Sequence, residues 1–193
     1  MFKLPLILAS SSPARLDLLN SINITPDFVL PADIDEAEHP KELPRESAFR
    51  LAYEKAMATS NKVECGIIIA ADTIVATGRS TLPKALTIDD VKFCLNKLSG
   101  RRHRIFTGLC IIHKDQDNIK ISRKVVQTTL KFKRLSAKEI ESYANSKEGI
   151  GKAGGYSIRG YAESFIELIS GSYSNVVGLP LTETLKVLEP FRR

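Results

Sequence analysis

The run Ile67-Ile68-Ile69-Ala70-Ala71-Asp72-Thr73-Ile74-Val75-Ala76 decides the fold. Its first five residues are apolar and leave no polar face, which is the pattern of a central strand covered on both sides. The run reads as a strand that ends at the polar pair Asp72-Thr73. Asp72 is then delivered at the carboxyl end of a buried strand, where ligands bind in open α/β sheets. Polar groups directly after five buried residues must find partners. A carboxylate in that position can ligate a divalent cation or accept a proton from water.

Towards the N-terminus, residues 4–9 read as a first buried strand and residues 27–29 as a short one. Between them Ser10-Ser11-Ser12 forms a turn, and a helix opens at Pro13 with Ser12 as its N-cap. The free N–H groups of that helix start, with the hydroxyls of Ser10, Ser11 and Ser12, make an anion site. Arg15 lies in the first turn, where a cation opposes the helix dipole and a bound phosphate would offset the conflict. Residues 31–44 read as an acidic loop with Asp33, Asp35, Glu36, Glu38 and Glu42, and this loop can give a second carboxylate to a metal. Residues 45–59 have helical periodicity, and one face carries Ala48, Leu51, Ala52, Lys55 and Ala56. A lysine in such a stripe either carries its ammonium to the edge or points into a cleft to meet negative charge.

Towards the C-terminus, Lys84 falls in a loop after the central strand. A helix starts at Thr87 with a cap-like T-x-x-D and stops at Gly100. Residues 105–113 and 119–133 read as long strands joined by a turn at 114–118. Ser136 and Glu139 form a capping box that starts a helix to about residue 145. A Gly-rich loop with a short strand (149–160), a strand (163–169) and a closing helix (180–188) complete the chain, with Arg192-Arg193 as a frayed tail. The order predicts an α/β fold with a mixed, twisted sheet flanked by helices, and one domain over 1–193.

Composition removes several function classes. The longest apolar runs are only a few residues, so no membrane span is expected. Pro5 interrupts the apolar N-terminus, which reads as a strand and not a signal peptide. The three cysteines are dispersed, which argues against disulfides and zinc and for a reducing compartment. The net charge of +6 suits anionic partners, but aromatics at 7% and the absence of Trp weaken a nucleic-acid stacking platform. His39, His103 and His113 have no metal-type spacing and complete no Ser-His-Asp set, and no Walker A sequence is present.

These segments together resemble the Maf family of nucleotide pyrophosphatases over nearly the whole chain. The resemblance rests on Leu8-Ala9-Ser10-Ser11-Ser12-Pro13-Ala14-Arg15, Arg50-Leu51-Ala52-Tyr53-Glu54-Lys55-Ala56 and Ala71-Asp72-Thr73-Ile74-Val75. It continues through Lys84, Leu98-Ser99-Gly100, Thr107-Gly108, Lys152-Ala153-Gly154-Gly155-Tyr156-Ser157-Ile158-Arg159-Gly160 and the stretch from Ile169 to Leu181. It implies an elongated, Maf/ITPase-like fold with a cleft between two lobes. It also implies cleavage of a nucleoside triphosphate to monophosphate and pyrophosphate, a divalent cation (Mg or Mn) and a cytoplasmic, homodimeric enzyme. By the same resemblance Asp72 is the catalytic base and a metal ligand, with Glu36 as its acidic partner. Ser10, Arg15, Lys55, Thr73 and Lys84 fall on the family's substrate-binding positions.

The chain departs from the family pattern in three places. Ala14 replaces the first of two adjacent arginines, Ala85 the proline after Lys84, and Arg159 the glutamine of the late Gly-rich motif. Thr73 of the dTTP/UTP-cleaving branch is kept. The expected substrates are therefore dTTP, UTP or modified nucleotides, with Arg159 restoring the charge lost at Ala14 and contacting substrate. A non-catalytic nucleotide-binding regulator of cell division is the rival reading.

Overall fold

The computed structural model describes residues 2–37, 39–116 and 118–192. Glu38 of the acidic loop, Asp117 of the predicted turn, and the terminal Met1 and Arg193 lie outside the described residues. The chain runs β1 (Leu6–Leu8), α1 (Pro13–Asn20), β2 (Phe28–Val29), α2 (Pro44–Ser60), β3 (Gly66–Thr77), β4 (Ser80–Leu82) and α3 (Ile88–Leu98). It continues through β5 (Arg102–Asp115), β6 (Asn118–Phe132), α4 (Ala137–Ser146), β7 (Ile166–Ser170), α5 (Tyr173–Val177) and α6 (Leu181–Leu188). One sheet holds all seven strands in the order β2-β1-β3-β5-β6-β7, with β4 also paired to β3. β1 is parallel to β2 and β3, and the remaining pairings are antiparallel, so the sheet is mixed as expected.

The central strand does not end at Asp72. β3 continues through Thr77, and β5 pairs with it from Gly66 to Ala76, with Asp72 opposite Gly108. The polar pair interrupts the apolar pattern without interrupting the ladder, because β-branched Ile74 and Val75 carry the extended backbone onward. On the other edge of β3 the pairing is broken. β1 stops at Leu8 opposite Ile69, and β4 begins opposite Val75. Residues 70–74 therefore face a notch in the sheet, with Asp72 at its middle. Both faces of β3 are approachable from this notch, so the alternating side chains of Asp72 and Thr73 can line one cavity.

The two faces of the sheet carry different layers. α2 covers one with its stripe of Ala48, Leu51, Ala52 and Ala56, against Ile68, Ala70, Ile74 and Cys110. Gly108 permits this close approach: a Cβ there would lie 1.9 Å from the Ala48 carbonyl oxygen. The opposite face packs on α1 and α6 through Leu18, Leu19 and Leu188, against Ile67, Ile69 and Ala71. A second apolar cluster gathers α3, α4 and the far ends of β5 and β6 around Leu95, Phe132, Tyr143 and Phe165. The cleft lies between these two bodies of core.

Several local expectations change. Ser12 occupies the N-cap position of α1, but its hydroxyl makes no capping bond, and Pro13 at the first position starts the helix. Thr87 and Asp90 do cap α3 reciprocally, at 3.1 and 2.9 Å. The stretch read as a strand from residue 163 begins as a 3-10 turn, Tyr161–Phe165. No named strand lies in the Gly-rich loop, where Ala153 makes a lone bridge to Lys84. Arg192 is bridged to Phe2 and is no frayed tail. The short elements β4 and α5 were not foreseen. Among the described residues, no helix is long and apolar enough to cross a membrane.

Candidate active site

A cleft of about 530 Å³ opens at the notch. It is lined by the Ser10–Arg15 turn and helix start, Glu36, Lys55, Asp72, Thr73, Lys84, Lys152, Tyr156 and Arg159, among others. All eight residues singled out from the sequence thus border one cavity. Each comes from a different element or loop except Asp72 and Thr73, and Ser10 and Arg15, which flank the start of α1.

Lys55 sits at the centre of the charges. Its Nζ lies 2.5 Å from Asp72 Oδ1 and 2.7 Å from Glu36 Oε1. The alternative of an ammonium carried out to the helix edge is therefore not the one adopted; Lys55 is only 8% exposed. Glu36 reaches it from an irregular segment and is itself more than half exposed. That segment is tied down further along by Arg50, which pairs with Glu42 at 2.8 Å and donates to the Ala37 carbonyl at 3.1 Å.

Arg15 fills the opposite side of the notch. Its Nε donates to the Gly178 carbonyl at 2.8 Å, Nη1 to Ser10 Oγ at 3.0 Å and Nη2 to Thr73 Oγ1 at 3.3 Å. The protein itself thus holds the cation that the helix dipole opposes, and two of the five guanidinium N–H groups are left over. Burial lowers the Arg15 pKa, while the carboxylates of Asp72 and Glu36 pull it back up. An arginine so placed stays charged at neutral pH.

Behind Thr73 stands a chain of hydrogen bonds between residues far apart in the chain, which no local pattern predicts. Thr73 Oγ1 is 3.0 Å from Thr107 Oγ1, and Thr107 donates to the Asn175 carbonyl at 2.8 Å. The fully buried Asn175 holds Thr128 Oγ1 at 3.0 Å through its side chain. These contacts bring α5 up to the sheet and put the Gly178 carbonyl within reach of Arg15. Gly178 has φ of +123°, and a Cβ there would meet Thr73 Oγ1 at 3.3 Å and Arg15 Nε at 3.4 Å.

Lys84 and Arg159 lie on the outer walls. The loop of Lys84 is fixed to the Gly-rich loop by Gly151 N–H to Ala85 O at 2.7 Å and Gly154 N–H to Pro83 O at 3.0 Å. No ion pair of Lys84 is found among the described residues. Arg159 is exposed and pairs with Asp17 of α1 at 3.2 Å. Ala14 and Arg159 border the same cleft, so the charge missing at one position and gained at the other face a common space.

Two carboxylates, Glu36 and Asp72, are the only acidic groups on the described cleft wall. No group of three His, Cys, Asp or Glu side chains with metal-binding geometry occurs among the described residues. Oxygen donors of this kind suit Mg²⁺ or Mn²⁺, which commonly take one or two carboxylates and complete their shells with phosphate and water. The donor set fits such an ion only if a ligand supplies the remaining oxygens.

The chain is similar to several known proteins. A protein of Rickettsia africae named nucleoside triphosphate pyrophosphatase is 59% identical over 186 residues, covering 96% of this chain and 86% of its own. A Rickettsia felis protein of the same name is 58% identical, covering 96% and 92%. The solved structure of the Staphylococcus aureus Ham1 protein aligns with 65% of this chain and 70% of its own, at 16% identity and a TM-score of 0.44. The family described as Maf-like protein matches residues 5–191, a span that includes every residue of the cleft. With relatives this similar over almost the full length, the chain belongs to the Maf-like protein family.

Proposed function

We propose that the cleft hydrolyses a nucleoside triphosphate to the nucleoside monophosphate and pyrophosphate. One observation carries the reading. Asp72 is embedded among cations: Arg15, Lys55, Lys84, Lys152 and Arg159 line the cleft against only Glu36 and Asp72. Such a surplus suits a polyanion. A site that only binds a polyanion gains nothing from a buried carboxylate in its midst, whereas a hydrolase needs a group to take the proton of water. The names of the relatives support the same reaction.

In this mechanism water attacks the α-phosphorus in line with the departing pyrophosphate. Asp72 accepts the proton of that water. The two unused N–H groups of Arg15, the ammonium groups of Lys55 and Lys84, and the N–H groups at the start of α1 neutralise the phosphates. Ser10 and Thr73 orient the guanidinium of Arg15 through their hydroxyls. Glu36 and Asp72 would hold a divalent cation, Mg²⁺ or Mn²⁺, which supplies charge neutralisation at the phosphoryl oxygens and acidifies water.

The outer wall bears on base preference. Arg159 adds a cation to the cleft that Ala14 also borders, and with Thr73 kept this supports dTTP, UTP or a modified nucleotide as substrate. A panel of canonical and modified triphosphates, followed by pyrophosphate release with Mg²⁺ and Mn²⁺, tests the proposal. The expected result is metal-dependent release with at least one pyrimidine or modified nucleotide. No release with any triphosphate would refute hydrolysis and favour the nucleotide-binding regulator.

A further inference from the structure

The ammonium of Lys55 occupies the space between the two carboxylates that would hold a divalent ion. Asp72 Oδ1 at 2.5 Å and Glu36 Oε1 at 2.7 Å converge on it, and they are the two carboxylates of the cleft. A cation binding between them must first displace a protein-borne cation that already makes a short charge-assisted contact to each. The displaced ammonium then needs a new anionic partner, because a buried lysine that loses its counter-charges is costly. Lys55 comes from α2, whose buried stripe on both sides of it leaves the side chain little choice but the cleft.

The same two carboxylates are too few to hold the ion alone. Mg²⁺ and Mn²⁺ favour six oxygens, and the described residues offer no third acidic or imidazole group at the site. A polyphosphate meets both deficits at once. Its oxygens complete the metal shell, and its remaining charge receives the ammonium.

We propose that Lys55 is an internal counter-ion that excludes free divalent metal from Asp72 and Glu36, so that metal enters only together with a polyphosphate. The inference rests on the triphosphate reading above. Its consequence is ordered loading. Without nucleotide, Lys55 pairs with the carboxylates and the site holds no metal. With a metal–triphosphate complex, Lys55 transfers to phosphate and releases Asp72 as the proton acceptor. Glu36 takes part in this exchange because its segment is irregular and its side chain exposed, so it can follow the incoming ion.

The test reads metal binding and not turnover. Mn²⁺ is titrated into the nucleotide-free protein, with free Mn²⁺ followed by electron paramagnetic resonance. Lys55→Met is expected to bind Mn²⁺ about tenfold or more tightly than the wild type, since removing the ammonium raises the net negative charge of the site. Adding Glu36→Gln to Lys55→Met is expected to abolish the gain. Equal or weaker Mn²⁺ binding by a folded Lys55→Met protein overturns the proposal, as does a gain that survives Glu36→Gln. The wild type gives a second measurement that does not depend on the variant folding. The side-chain ammonium ¹⁵N signal of Lys55 should stay in place with millimolar Mg²⁺ alone and move with Mg²⁺ plus tripolyphosphate. Movement with Mg²⁺ alone overturns the proposal. Pyrophosphate release by the wild type is assayed beside these titrations, so failed hydrolysis and failed exclusion are separate results.

Discussion

At the scale of single residues, Asp72 and Arg159 carry separable roles. Asp72→Asn keeps the shape and a hydrogen-bond acceptor for Lys55 but removes the proton acceptor. Steady-state assays are expected to find kcat down by ~10²–10⁴, while nucleotide binding measured by calorimetry persists. Wild-type kcat in that variant would show that the proton goes elsewhere. Arg159 is argued differently, because it is exposed and tethered to α1 through Asp17, at 3.2 Å. If its charge compensates for Ala14, the two positions must be coupled. Ala14→Arg and Arg159→Gln together should then retain more kcat/KM for dTTP and UTP than either change alone, with a coupling of about 0.5–3 kcal/mol in the double-mutant cycle. Strictly additive losses would show that the positions act independently.

At the scale of elements, the site depends on how closely α2 lies on the sheet. Gly108 faces Ala48 across that contact, and β5 holds Gly108 opposite Asp72. Gly108→Ala therefore forces α2 outward at the point that sets the reach of Lys55 to Asp72. Thermal or denaturant unfolding should register a loss of about 1–3 kcal/mol, with activity falling even in the fraction that remains folded. A variant with normal kcat would mean that Lys55 tolerates a displaced helix. The helices and long strands behind this geometry were legible in the sequence, because caps such as Thr87 with Asp90 and stripes such as Ala48 to Ala56 are local signals. The notch was not. Asp72-Thr73 reads as a strand end when only its own segment is considered, yet the strand continues because Thr107 and Gly108 of β5 pair with it. Where β1 stops and β4 starts depends on chain crossings that no local pattern encodes. The contact of Arg15 with Gly178 spans 163 positions and was invisible for the same reason. The eight residues singled out on the cleft wall came from the family resemblance, whereas the salt bridges among them emerge only from the folded chain.

At the scale of the whole molecule, the second apolar cluster contains a titratable group that no ligand explains. His103 is 1% exposed, packs edge-on against Phe132 at 4.9 Å between ring centroids, and bonds Tyr156 Oη through Nε2 at 2.8 Å. Its Nδ1 has no hydrogen-bond partner among the described residues. Burial pushes the His103 pKa down to about 4, from an ordinary 6.5. The folded protein therefore holds this imidazole neutral while the unfolded chain protonates it. The unfolded state binds more protons between pH 6.5 and about 4, so stability is complete above the upper value and declines as pH falls through that window. The shift corresponds to about 3 kcal/mol. Tyr156 links this cluster to the cleft, since the residue whose hydroxyl bonds His103 also lines the cleft, and that hydroxyl's pKa is raised by burial. Urea unfolding of the wild type and of His103→Gln across pH 8 to 4 should show the wild type losing stability more steeply below about pH 6.5, by up to about 3 kcal/mol in total, with parallel curves above pH 7. Carboxylates contribute acid sensitivity to both proteins equally, so only the difference between the curves reports His103. Curves of equal slope would mean that the imidazole is protonated in the fold, and that the cluster under the cleft admits water or a proton donor.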